Sequence, residues 1–109
     1  MAARRAKLNL KPIKVALLAL VAGLAVWFAY ASLRTRYWEE YREAGLRALE
    51  RGNYEWAEKM AGKALVEARD LGERDRRVIQ SLKDLARVYR AQGRKALADS
   101  VLALARDLD

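Results

Sequence analysis

The 109-residue chain contains no cysteine and no histidine. The first absence excludes a disulfide framework and all thiolate chemistry. The second removes the commonest general base and the nitrogen ligand of most zinc sites. Proline occurs once, at Pro12, so nothing downstream carries the residue that most reliably ends or kinks a helix. Strand-like alternation is missing from residue 36 onward. The 14 acidic residues are scattered among 22 basic ones and read as surface charge. With no catalytic, metal or cofactor constellation to stand on, neither an enzyme nor a bound cofactor is expected.

The net charge of +8 is unevenly placed. Residues 1–14 form a basic flank with Arg4, Arg5, Lys7, Lys11 and Lys14 and no acid, whereas residues 34–109 carry 17 basic and 14 acidic side chains. A nearly balanced body counts against nucleic-acid binding, which calls for a basic footprint on the domain itself. The flank instead borders VALLALVAGLAVWFAYASL, residues 15–33, a stretch of 19 residues without a charge. As a helix it spans roughly 28 Å, close to the hydrocarbon core of a bilayer at about 30 Å. Trp27, Phe28 and Tyr30 gather at its far end, with Tyr37 and Trp38 beyond, as interfacial anchors would.

A single transmembrane helix acting as a signal anchor is therefore expected over 15–33. The competing reading is a signal peptide cut after Ala29-Tyr30-Ala31, which would release a soluble secreted or periplasmic module. Aromatic crowding at that point, with no polar stretch ahead of it, favours retention. Lys and Arg are slightly denser before the run than after it, where Arg34, Arg36, Arg42 and Arg47 lie. That asymmetry predicts a cytoplasmic N-terminus and a body across the membrane, in the periplasm of a bacterial host. Within the run, Ala16, Ala19 and Gly23 share one face at the spacing that lets a second helix pack closely.

Beyond residue 36, Gly52, Gly72 and Gly93 punctuate a helical pattern into segments 36–51, 54–71, 75–92 and 95–107. Asn53 and Asp75 occupy N-cap positions, and connections this short make neighbouring helices antiparallel. Tyr41, Ala44, Gly45 and Ala48 line one face, answered by Ala57, Ala61 and Ala64. The same arrangement returns as Leu82, Leu85, Ala86 and Tyr89, answered by Ala98, Leu102 and Ala105, when Gly52 is aligned with Gly93 at a period of 41. Repetition of this kind marks a helical solenoid. The expected fold is all-α: one transmembrane helix followed by two antiparallel helical hairpins spanning 36–109.

Over residues 38–106 the chain resembles the tetratricopeptide repeat family. GNYEWAE is similar to that family's turn and second-helix opening, and LKDLARVYRAQGR to its first helix. The long period resembles the extended repeats of kinesin light chain. Gly45, Gly52, Tyr54, Ala57 and Ala64 fit the pattern. Ala48 and Ala61 are smaller than usual, Lys95 replaces the Tyr54 counterpart, and no proline closes either unit. The resemblance implies protein–protein binding in a groove lined by first helices.

Two surfaces are candidates for that binding. Arg76, Lys83, Arg87, Arg90 and Arg94 fall within about 60° on one helix face, away from Val78, Leu82, Leu85 and Tyr89. This stripe suits an acidic segment, a chain-terminal carboxylate or anionic headgroups, against the plainer reading of a solvated face. The last helix carries Leu97, Val101, Leu104 and Leu108 on a flank that a single helix neighbour would not cover. Solenoids normally end in a polar-faced cap and use about three repeats for stability. Completion by another copy or by a different subunit is expected. The sequence thus points to a membrane-anchored adaptor or accessory subunit that positions protein partners within a membrane complex.

Overall fold

The break expected between the apolar run and the first body helix does not occur. In a computed structural model describing residues 9–109, a single helix, α1, runs Lys11–Glu50. Arg4, Arg5 and Lys7 of the basic flank lie outside the described residues. Residues 32–36 contain neither glycine nor proline, so nothing there interrupts helical hydrogen bonding. Pro12 sits in the first turn of α1, where its missing N–H has no intrahelical partner to lose. Asn9 accepts from the Lys11 amide at 3.2 Å just ahead of it.

Three further helices follow: α2 (Tyr54–Leu71), α3 (Arg76–Ala91) and α4 (Lys95–Leu108). The protein is all-α with one apolar N-terminal helical stretch, and no strand occurs among the described residues. It divides between Ser32 and Leu33 into two compact units. The first unit's described residues are helical from Lys11 onward, and from residue 15 they carry no charge. It forms one helix long and apolar enough to cross a membrane, and none of its most apolar window is buried within the chain.

The second unit holds the core. α1 ends at a turn in which the Asn53 amide bonds to Ala48 O at 2.9 Å and the Gly52 amide to Leu49 O at 3.1 Å. α3 ends identically, with Arg94 bonding to Tyr89 O at 2.8 Å and Gly93 to Arg90 O at 3.0 Å. These paired bonds are the Schellman closure. The required left-handed residue is glycine both times, at φ 76° and 78°. Asn53 caps α2 by accepting from Trp56 N, and Asp75 caps α3 by accepting from Arg77 N at 2.9 Å. Arg94 occupies the corresponding position before α4 without a side-chain cap.

Small residues let the helices approach. Ala57, Ala61, Ala64 and Ala68 are all buried along one stripe of α2. α1 meets that stripe at Gly45, where an added Cβ would lie 3.3 Å from Ala61 N and 3.4 Å from Ala57 O. α3 supplies the larger core side chains, Val78, Leu82, Leu85 and Val88, and packs against both α2 and α4.

Gly45→Leu is expected to lower the unfolding free energy by about 1–3 kcal/mol through overpacking against backbone. Gly62 also lies within α2, but its Cβ position is open and its φ is not positive. Gly62→Ala should therefore stabilise by about 0.5–1 kcal/mol. Thermal melting of the full chain followed by circular dichroism checks both signs.

Candidate interaction surface

α3 has a single acidic residue, Asp84, and it is buried. The outward face of that helix is consequently free of acid. Arg76, Lys83, Arg87, Arg90 and Arg94 are all exposed. They do not stand alike, however. Arg90 lies 3.7 Å from Asp99, while Arg94 lies 3.2 Å from Glu58 and over the Tyr89 ring. Among the described residues no carboxylate comes within ion-pair distance of Arg76, Lys83 or Arg87.

Beside this face, α1 and α3 enclose an open groove of about 600 Å³. α1 contributes Trp38 and Arg42; α3 contributes Arg76, Arg77, Ile79, Gln80 and Lys83, and Asp109 stands at the rim. Two contacts build it. The Trp38 indole donates to Ser81 Oγ at 2.7 Å, and Arg42 Nε donates to Asp84 Oδ2 at 2.7 Å. Gln80 donates to the other Asp84 oxygen at 3.0 Å. The Arg42 and Arg77 guanidinium carbons lie 5.9 and 6.0 Å from the Trp38 ring centroid. Cations are thus held around an aromatic floor.

A second, shallower groove continues along the same helix, lined by Leu49, Tyr54, Arg87, Arg90 and Ala91. The two walls of the first groove are equivalent faces of the two hairpins. The offset of 41 residues superimposes Trp38 on Ile79 and Arg42 on Lys83. That offset is the signal by which α1's contribution to the groove, unassigned from sequence, was available there.

Trp38, grouped in the sequence with the interfacial aromatics, packs against the core of the second unit. Trp27, Phe28, Tyr30 and Tyr37 are exposed, as are Ala16, Ala19 and Gly23. The flank expected on α4 needs correction. Val101 is only 8% exposed and belongs to the core, so it offers no partner surface. The buried stripe runs Ala98–Val101–Ala105, with Leu102 at its edge, one residue round from the expected register. Leu108 also packs against the core and Leu97 is half-buried, leaving Leu104 as the exposed member of the flank.

The groove's cations should separate by role. Arg42→Ala leaves a buried carboxylate without its charged donor and is expected to destabilise by about 1–3 kcal/mol. Lys83→Ala, with no ion pair to lose, should change stability by less than about 0.5 kcal/mol. Chemical denaturation of the two variants measures the difference. Comparisons with protein-family models, curated proteins and solved structures find no match for this chain.

Proposed function

We propose that this protein is a non-enzymatic, single-pass membrane adaptor or accessory subunit whose helical-repeat body binds and positions protein partners. The observation that carries the reading is the acid-free face of α3, where the four exposed cations Arg76, Lys83, Arg87 and Arg90 border two grooves and the helix's only carboxylate is buried. A rigid helix with a one-sign face recognises a complementary surface and rejects like-charged ones. Leu49 and Tyr54 beside Arg87 and Arg90 add apolar area and an aromatic anchor to the charge. The tetratricopeptide-like repeat supports the same reading by resemblance.

The anchor supplies the mechanism. Confining the body to one membrane face raises its effective concentration toward partners in that membrane. Retention of the segment is supported by the aromatic residues crowding Ala29-Tyr30-Ala31, with no polar stretch ahead of it. The Lys/Arg asymmetry supports a cytoplasmic N-terminus with the body on the extracytoplasmic side.

Purification in mild detergent is expected to recover stoichiometric membrane proteins with the chain, and Arg87→Glu with Arg90→Glu should remove them without altering helicity. A monodisperse, partner-free chain counts against the adaptor role, and association with further copies alone would redirect it to self-assembly. Topology has a separate test, since the chain has no native cysteine. In Ser100→Cys, at an exposed position of α4, the thiol should react with an impermeant maleimide applied from the extracytoplasmic side. Labelling only after the membrane is opened reverses the orientation.

A further inference from the structure

Two contacts join the first hairpin to the second. Arg42, Gly45 and Leu46 of α1 line a small pocket with Ser81, Asp84 and Val88 of α3, and Arg42 Nε donates to Asp84 at 2.7 Å. On the other helices, Glu58 of α2 accepts from Gln92 at 3.0 Å and from Arg94 at 3.2 Å, at the α3–α4 turn. The first hairpin thus offers a trailing face to the second, which meets it with a leading face.

Because the hairpins repeat at an offset of 41 residues, the body carries each face a second time, at its outer ends. Moving Arg42, Gly45 and Leu46 forward by 41 gives Lys83, Ala86 and Arg87; moving Ser81, Asp84 and Val88 back gives Glu40, Glu43 and Arg47. Lys83, Arg87, Glu40 and Glu43 are all exposed. Among the described residues Lys83, Arg87 and Glu40 form no ion pair, and Glu43 has an exposed one with Arg47 at 3.7 Å. The brace from Arg42 to Asp84 therefore recurs as Lys83 and Glu43, with the same sign on each side. The second contact recurs likewise. Glu58 maps to Asp99 and Gln92 to Arg51, both exposed. Arg51 is in no ion pair among the described residues, and Asp99 has an exposed one with Arg90 at 3.7 Å. Exposed pairs of this kind exchange partners at little cost.

We propose that a second copy of this chain stacks on the first head to tail, Lys83 of one against Glu43 of the next and Asp99 against Arg51. The internal repeat then continues from chain to chain. Tyr37 and Tyr41, which stand where α3 has Val78 and Leu82, give the leading face aromatic area. The bond from Trp38 to Ser81 is not carried over, since the equivalent residues are Ile79 and Glu40, and Arg47 replaces Val88. The contact between copies is consequently more polar than the internal one, weaker, and sensitive to salt. Its two faces are unlike, so each added copy leaves one of each kind free and stacking continues past the dimer. The inference concerns residues 33–109 and goes beyond the adaptor reading: it holds whether or not a foreign protein or a membrane engages the chain.

A weak contact between an ammonium and a carboxylate is captured by a carbodiimide, which joins the two as an amide without a spacer. The full chain, half of it labelled with nitrogen-15, is treated in mild detergent and digested for mass spectrometry. Peptides joining Lys83 to Glu43 should carry mixed labels, the products should form a ladder past the dimer, and both should fade at high salt. Glu43→Lys and Lys83→Glu should each lower the ladder about ten-fold, with helicity by circular dichroism unchanged. An equal mixture of the two variants should restore it, as should one chain carrying both reversals, joined at the same two positions. Links from Lys83 that stay within one chain overturn the proposal. So does a ladder that ignores salt and both reversals, or one that neither the mixture nor the double reversal restores. Products that stop at the dimer overturn head-to-tail stacking. Recovery of foreign partners in any of these cases leaves the adaptor reading in place.

Discussion

The body depends on one cross-brace between α1 and α3. Arg42 reaches from α1 to the buried Asp84, and Trp38 reaches from one turn earlier to the buried Ser81. An isolated carboxylate in this position would carry a desolvation cost of several kcal/mol. The guanidinium and the Gln80 amide satisfy its two oxygens from different directions. Such pairs contribute less to net stability than to register, because any slip of α1 along α3 leaves charge and hydroxyl unsatisfied. Register is what the surface needs. It sets α3 beside the Trp38–Arg42 stretch of α1 and floors the groove with Trp38. Neutralising Asp84 from below leaves Arg76, Lys83 and Arg87 unneutralised above.

The two hairpins are copies in their backbone and diverge in their side chains. The Schellman turns at Gly52 and Gly93 repeat bond for bond, as do the small residues at the hairpin crossings, Gly45 with Ala86 and Ala57 with Ala98. Divergence appears where the copies meet. Arg94, which replaces the capping Asn53, turns instead to Glu58 at the start of α2. Gln92 joins the same carboxylate at 3.0 Å. A local cap has been exchanged for a contact between hairpins. The first pairs with the second at the start of α2, through Glu58 and the α3–α4 turn, whereas Asp70 near the end of α2 pairs within its own hairpin, with Arg34.

Most of the fold was legible because each element is punctuated locally. Gly52, Gly72 and Gly93 end helices, Asn53 and Asp75 start them, and the alanine stripe of α2 names its buried face. The continuity of α1 follows from an absence, since no breaker occupies residues 32–36, but composition changes there so sharply that two helices are the natural reading. The basic stripe on α3 was legible from its angular spacing. Its pairings were not, because Asp99 and Glu58 come from other helices. Trp38 was ambiguous for a physical reason: an indole suits a membrane interface and a half-buried packing site equally, and only the Ser81 hydroxyl decides. On α4, apolar residues occupy more of the helix than one neighbour covers. The choice between Val101 and Leu102 as the buried one is set by packing against α3, which periodicity alone does not resolve.

On the proposed reading, a membrane tether changes what such a surface must achieve. Exposed ion pairs contribute about 0–1 kcal/mol each in water, too little for three unneutralised cations to capture a partner from solution. Confinement beside a membrane removes much of the entropic cost of encounter, and effective concentrations in the millimolar range make weak contacts sufficient. An alanine-rich body suits that setting. It lets helices pack closely, as Gly45 does against Ala57 and Ala61. The acid-free cationic face lies on the helix that is braced. α3 is braced to α1 by Arg42 and Trp38, whereas α4 packs on α3 at the far side. Charge placed on the braced helix is held in register with Trp38 and Arg42.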